Sequence, residues 1–387
     1  MSKGLSLRKL PLNARSAALR ALLLVDDGLS AQQALAAVLD GLTPSAEAAG
    51  ASRPGPVNAA KERGPACAGL IPQDRALCTE LVYGCLRTEL RLRFLLAEVL
   101  PRPQGLPRPM QLILALAVYG LLFQDKIPPH AVVHEAVEQV RRLFGQGLAR
   151  VANGALRSLQ RMGQDMADPA FYAARLADNY AQGDAAFYAT CVFYSVPLWI
   201  GALWRDAYGA PTATALMQRS FARPWSALRI NAQHPGAAEL YAALAAPQAG
   251  PAKALHAPAL AGKTSAAPGS GPAKDAAARS CVAQQLSGSP VSPISVGQWG
   301  LAFAPGSMPR EALGHDLRHW FGQGTLSWQS AGSQQALLAL GLAGWREPVW
   351  DACAGQGGKS ASLMEWGVPV ALATDNAFAR LRGLAPQ

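Results

Sequence analysis

Between Val349 and Asp375 the chain reads VWDACAGQGGKSASLMEWGVPVALATD, with glycines, aspartates and a lysine at intervals that suit one kind of chemistry. Val349 and Trp350 close an apolar run, and Asp351 follows where a strand would end. Gly355, Gly357 and Gly358 remove side chains where backbone N–H groups must come close to a ligand. A helix is expected at 360–366, with its positive end toward that ligand. A second strand, 368–373, delivers Asp375, 24 residues after Asp351. That is near the distance at which an acid accepts hydrogen bonds from ribose hydroxyls. Strand, glycine turn, helix, strand and acid, in that order, grip the adenosine half of a cofactor in α/β enzymes.

Two rival glycine motifs fail on spacing. A phosphate-binding P-loop needs glycine five positions before Gly358-Lys359-Ser360, and Cys353 stands there. A nicotinamide site needs a third glycine where Ser360 stands. No metal is expected either. His130 and His134 are four apart with Glu135 beside them, as are His315 and His319 with Asp316, but neither pair has an H-E-x-x-H pattern or a third ligand. The six cysteines form no C-x-x-C pair, which points to a reduced, cytoplasmic chain. Cys78 and Cys85, seven apart in a helical pattern, read as core thiols on one face.

The elements that must position these residues differ along the chain. Residues 13–39 carry helical periodicity, with Leu19, Leu22, Leu23, Leu35 and Leu39 as core positions. A loop insertion is expected at 43–69. Helices resume at 74–100, 110–123, 130–144 and 148–162, with prolines between them as stops and first-turn residues. Tyr83, Tyr119 and Phe123 fall at core spacing. Residues 1–165 thus read as one all-helical domain. Residues 166–231 begin helical and end in a strand, SALRIN. The tract 242–293 is dominated by Ala, Pro, Gly and Ser and reads as a disordered insertion within 166–345. A third segment, 346–387, opens the α/β domain. All nine tryptophans lie at or after Trp199, so the two halves have different cores.

The chain carries a net charge of +10, with 50% hydrophobic residues and a pI of about 9.6. Within residues 1–165, 20 Lys/Arg stand against 13 Asp/Glu, so an anionic partner belongs to the N-terminal end. Arg141, Arg142, Arg150, Arg157 and Arg161 lie in a stretch with no acid between Glu138 and Asp165. They are the candidate contacts for RNA phosphates. The longest apolar run, 112–123, is too short to span a bilayer. No membrane partner is expected.

DACAGQGGKS resembles the DACAAPGGKT signature of RNA 5-cytosine methyltransferases of the RsmB/Sun (Fmu) type. DRALCTELVYGCLR (74–87), LILALAVYGLLFQDKIPPHAVVHEAVEQVRR (112–142) and VANGALRSLQR (151–161) resemble the NusB-like helical domain at the front of that family. RPWSALRIN (223–231) resembles its N-P-P-x-x-L-R-x-N segment. GTLSWQSAGSQQAL (324–337) resembles the G-x-x-x-V-Q-D-x-x-S-Q element before the cofactor motif. Gly355-Gln356 stand in place of Ala-Pro, and Ser330 in place of the Asp of that element.

The resemblance implies an all-α NusB-like RNA-binding domain, an α+β RNA-recognition segment and the start of a Rossmann-like methyltransferase domain. It implies S-adenosyl-L-methionine as cofactor, lined by Cys353, Ala354, Gly355, Gln356, Gly357, Gly358 and Lys359, with Asp375 at the ribose. The partner implied is ribosomal RNA and the reaction methylation of cytosine at carbon 5, by a monomer. In the family one thiolate adds to the ring and a second cysteine assists release. Those cysteines belong to later Pro-Cys and Thr-Cys-Ser motifs. The chain reaches Gln387 before either, so it is expected to be truncated within the catalytic domain, with no catalytic residue assigned and Cys353 kept to the cofactor motif. A non-catalytic RNA-binding module is the alternative. A lone strand–helix–strand leaves a sheet edge bare, so weak cofactor affinity is expected.

Overall fold

The computed structural model describes residues 7–41, 69–177, 184–246, 292–342, 344–376 and 381. Of the expected insertions, 43–68 and 247–291 lie outside these residues. The chain divides into two compact units, 1–222 and 223–387.

The first unit is helical throughout its described part. Its helices are α1 (Ala14–Asp26), α2 (Ala31–Leu39), α3 (Pro72–Arg87), α4 (Glu89–Val99), α5 (Arg108–Phe123), α6 (Pro129–Phe144), α7 (Gln146–Met162), α8 (Pro169–Leu176), α9 (Asp184–Phe193), α10 (Leu198–Tyr208) and α11 (Ala210–Phe221). Their starts follow local chemistry. Asn13 accepts from the Ser16 amide at 2.9 Å, Ser30 and Gln33 form a reciprocal capping box, and prolines open α3, α5 and α6. The apolar run 112–123 is the middle of α5, which is buried at Ile113, Leu114, Leu116, Ala117 and Val118. Leu19, Leu22, Leu35 and Leu39 are buried as the periodicity demands, and Leu23 packs against them. A Cβ at Gly84 would meet the Tyr119 ring at 2.2 Å, so glycine on α3 is what lets that ring seat. Tyr83 departs from the core pattern and is 39% exposed.

Boundaries within the helical unit differ from those the sequence suggests, and the block 13–39 is two helices. The single helix at 74–100 is two helices broken at Thr88, whose hydroxyl donates back to Gly84 O at 2.8 Å. The Leu90 amide at the start of α4 is capped by Ser195 Oγ, 2.8 Å away, from the turn after α9. The helical unit also runs past 165 to Ala222. Phe171, Tyr172, Leu176, Val192 and Phe193 join the same apolar core, and so does the packing around Arg91, 3% exposed, whose guanidinium lies 5.5 Å from the Phe123 ring, 5.4 Å from Tyr172, 4.0 Å from Phe193 and 5.8 Å from Phe221. It also donates to Tyr172 Oη at 2.9 Å and Met166 O at 2.7 Å. Helices α8, α9 and α11 are thereby gathered onto α4 and α5.

The second unit contains β1 (Ser226–Ile230), α12 (Ala237–Ala245), β2 (Ile294–Val296), β3 (Gly300–Phe303), β4 (Glu311–Ala312), β5 (His315–Asp316), α13 (Leu317–Gly322), β6 (Leu326–Trp328), α14 (Ala331–Ala339), β7 (Val349–Asp351), α15 (Gly358–Glu365) and β8 (Val370–Ala373). Residues 242–245, read as the start of the disordered tract, instead belong to α12, because Leu240 and Leu244 anchor that helix in the core.

An antiparallel sheet runs β2-β3-β1-β6. Leu228 and Ile230 of β1 join Leu301, Phe303 and Leu326 on its apolar face, under α12 and α13. Arg229 points to the other face, between Gly300 on β3 and Ser327 on β6. A Cβ at Gly300 would sit 1.9 Å from Gln334 Oε1, so the bare position admits the α14 side chain that covers this face. A separate pair, β7 and β8, is parallel, with Trp350 opposite Leu372 and Asp351 opposite Ala373. Leu337, Leu363 and Val368 form a small apolar cluster with Val349 and Val370 at its rim.

Candidate functional site

The glycine turn joins β7 to α15, and its geometry is set by the residues at its base. Gly355 and Gly357 have φ of +58° and +84°, a left-handed backbone that favours glycine. Gly358 has an ordinary φ, and a Cβ there would meet nothing within 4 Å. Glycine at 355 and 357 therefore shapes the loop, whereas at 358 it leaves the helix start open to approach from outside. The N-cap of α15 is Gly357, without a side-chain cap bond.

Carboxylates brace the turn from both strands. Asp351 Oδ2 accepts from Ser360 Oγ at 2.7 Å and Oδ1 from the Cys353 amide at 3.2 Å. Asp375 Oδ2 accepts from the Gly355 amide at 2.9 Å. The Ala354 amide bonds Thr374 O at 2.9 Å, and Lys359 Nζ lies 3.5 Å from Cys353 O. Cys353, Ala354, Gly355, Gln356, Gly357, Gly358, Lys359 and Asp375 thus form one constellation between the C-terminal ends of two parallel strands. The sequence reading places the helix at 360–366 and the second strand at 368–373. The structure starts them at Gly358 and Val370.

A polar bridge ties α15 to the antiparallel sheet. Arg229, 4% exposed, pairs with Glu365 at 3.0 Å and donates to Ser362 Oγ. Ser362 Oγ lies 2.9 Å from Gln329 Oε1 and 3.0 Å from Gly358 O, and donates to one of them. Gln329 Nε2 donates to Gly358 O at 3.0 Å, and Gln233 Nε2 reaches Met364 O and Glu365 O, each at 3.2 Å. Burial lowers the Arg229 pKa against the pull of Glu365 and raises that of Glu365 against the pull of Arg229. None of this was read from the sequence. Arg229 and Ser362 are 133 residues apart, and no spacing rule connects them.

The five arginines of the basic stretch separate into two sets within the first unit. Arg141 and Arg142 both bind Glu138, one residue before the acid-free stretch. The hydrogen bond from Arg142, with the charges of both arginines, holds the Glu138 carboxyl below its ordinary value. Arg150, Arg157 and Arg161 are exposed on α7, and none is in an ion pair among the described residues. With Gly147 and Gly154 they step along the helix by threes and fours, which puts all five on one stripe. A Cβ at Gly147 or Gly154 would meet nothing within 4 Å, so packing does not require glycine there.

The remaining candidates have structural settings. His130 and His134 are exposed on α6, and the half-buried Glu135 pairs with Arg15 at 2.9 Å. His315 and His319 stack at 4.3 Å, and Asp316 caps α13. Among the described residues no three His, Cys, Asp or Glu side chains are placed to hold a metal. Cys78 and Cys85 are buried; burial pushes the Cys85 thiol far up and the Cys191 thiol to about 11. Cys353 is exposed. No single helix among the described residues is long and apolar enough to cross a membrane.

Residues 30–161 match the NusB family. The Probable ribosomal RNA small subunit methyltransferase B of Bacillus subtilis (strain 168) is 33% identical over 182 residues, covering 46% of this chain and 37% of that protein. The protein of the same name from Synechocystis is 31% identical over 166 residues, covering 42% and 34%. Ribosomal RNA small subunit methyltransferase B of Thermus thermophilus is 36% identical over 137 residues, covering 35% and 28%. These matches span about a third of each relative's own length. The crystal structure of PH0851 is similar in fold, with a TM-score of 0.52 at 13% identity, over 97% of this chain and 66% of that one. Fold and match together define a helical NusB domain followed by a sheet unit that carries a glycine-turn strand–helix–strand. Within that class, the chain is similar to proteins named ribosomal RNA small subunit methyltransferase B, and its residues 30–161 to the NusB family.

Proposed function

We propose that this chain is part of an S-adenosylmethionine-dependent enzyme that methylates carbon 5 of cytosine in ribosomal RNA, with the glycine turn as its cofactor cradle in a Rossmann-like domain. The observation that carries the reading is the left-handed turn at Gly355 and Gly357, braced by Asp351 and Asp375, ahead of the open helix start at Gly358. These residues suit the cofactor. The backbone amides and the positive end of α15 face the place where its polar atoms would lie, and Asp375 offers the carboxylate a ribose requires. When bound, S-adenosylmethionine supplies an electrophilic methyl group on its sulfonium. Cys353 to Lys359 line the cradle, Asp351 holds the turn in shape through Ser360, and Asp375 must keep or exchange its bond to Gly355 as ribose hydroxyls arrive. A ribosomal RNA substrate implies a cytoplasmic location.

Ligand-observed NMR with S-adenosylmethionine tests the cradle and reads weak binding. Binding should vanish in Gly358→Val, which fills the open helix start, and weaken in Asp375→Ala. Binding indifferent to both changes would put the cofactor elsewhere. Tritiated methyl transfer to ribosomal RNA by the full-length gene product, recovered as 5-methylcytosine, tests the reaction. Recovery on another base would overturn the assignment.

RNA contact belongs, on this reading, to the α7 stripe of Arg150, Arg157 and Arg161, with Arg141 and Arg142 held back by Glu138. The bare positions at Gly147 and Gly154 let a phosphate backbone lie close between cationic side chains. Charge reversal of Arg150 and Arg157 should flatten the dependence of log K on log salt by about 1.4 for a single strand, two phosphate contacts at ~0.7 each. An unchanged slope and affinity would leave α7 a solvated face. If RNA binding holds while cofactor binding fails, the non-catalytic RNA-binding module becomes the better reading.

A further inference from the structure

The apolar cluster beneath α15 has three buried members, Leu337, Leu363 and Val368. So small a cluster fixes that the helix packs there but leaves its rotation and its slide along the axis weakly determined, because burial is non-directional. Direction comes from the polar bridge. Gln329 holds the first residue, Gly358, Ser362 is held one turn later, and Arg229 holds Glu365 at the last residue. The C-terminal end of a helix carries partial negative charge, and Glu365 adds to it, so the Arg229 guanidinium is the counter-charge at the end of α15 away from the turn. Its Nε is buried with no hydrogen-bond partner among the described residues, so holding this side chain here carries a desolvation cost. Arg229 sits on β1, which is hydrogen-bonded on both sides by β3 and β6.

We propose that Arg229 is a positioning residue for the cofactor cradle: through Glu365 and Ser362 it sets the rotation of α15 and hence the direction of the amides that open it at Gly357–Lys359. This rests on the reading of the glycine turn as the S-adenosylmethionine site, and it couples that site to the sheet segment carrying Arg229. Glu365 and Ser362 act only through the same bridge.

Hydrogen–deuterium exchange on the full chain, with S-adenosylmethionine titrated by ligand-observed NMR, tests it. In Arg229→Met, exchange of amides 355–362 should rise about tenfold above that of the other sheet-unit amides, and cofactor affinity should fall by a similar factor. Arg229→Lys keeps the charge but not the forked contact, and should recover part of both losses. Should Arg229→Met unfold the unit, Glu365→Gln and Ser362→Ala each weaken one link while the guanidinium keeps the other, and should raise exchange in the same window. Unchanged exchange at 355–362 in these variants overturns the proposal. So does a uniform rise across residues 226–373, which would make Arg229 merely structural. Loosening of the turn in a chain whose wild type binds no S-adenosylmethionine supports the positioning role and sinks the cofactor reading instead.

Discussion

At the scale of single residues, one acid, Glu138, decides how far the charges of Arg141 and Arg142 are free. Arg141 and Arg142 sit three and four residues after Glu138, and both contact it. Replacing Glu138 with Gln frees two cations at the end of α6, immediately before the α7 stripe. RNA affinity should rise, and the salt dependence should steepen by up to about 1.4 units for single-stranded RNA. Filter binding between low and moderate salt checks this. A slope equal to wild type would mean that Arg141 and Arg142 face away from the nucleic acid. The pairing was legible in principle, since i,i+3 and i,i+4 contacts follow from helical geometry. A reading that begins its acid-free stretch after Glu138 passes over it. The glycine turn was legible for the same local reason: its glycines, aspartates and helix start lie within about one supersecondary unit. Arg229 and Glu365 were not, because what joins them is the packing of a sheet against a helix far along the chain.

Elements show the same division between local and distant causes. Helix starts at Asn13, Ser30 and the prolines could be read directly, because a cap acts within three residues. The break at Thr88 could not, because part of its cause is Ser195, 105 residues beyond the Leu90 amide that it caps. Ser195 has φ of +56°, an unfavourable conformation for a residue with a side chain, and its hydroxyl caps α4. Ser195→Ala should lower the stability of the helical unit by about 1 kcal/mol, the worth of a lost cap. Ser195→Gly should cost less, since glycine relieves the backbone while losing the same bond. Chemical denaturation of the two variants separates these terms, and equal losses would mean that the conformation stores no strain. Arg91 is a larger case. Arg91→Ala removes a buried side chain lying among four aromatic rings and should destabilise by about 3 kcal/mol. Arg91→Met keeps most of the volume, and Tyr172 Oη retains its own bond to Met166 O, so the loss should stay within about 1.5 kcal/mol.

For the whole molecule, the question is how far the two units depend on each other. The helical unit has a main core that reaches from Leu7 to Phe193 and a smaller cluster of Cys191, Val196, Ala213 and Met217, and the Arg91 cage carries the packing on to Phe221. That is why the unit extends to 222 when the sequence suggested 165: an arginine inside a helical stretch reads as surface until the aromatic side chains that enclose it are known. The chemistry is divided along the same line. The α7 arginines lie in unit one, and the glycine turn with its Arg229 bridge lies in unit two. A chain of residues 1–222 should therefore unfold in one cooperative transition and bind RNA with the salt slope of the full chain, because every arginine of the stripe and every buried contact beneath it is retained. Cutting instead at 165 removes Tyr172, Phe193 and Phe221, leaves Arg91 with Phe123 alone of its four rings, and should give a less stable and less cooperative transition. Circular dichroism melts of the two fragments, with RNA binding at several salt concentrations, decide it. Equal stability of the two would show that α8–α11 are an appendage to the helical domain rather than part of its core.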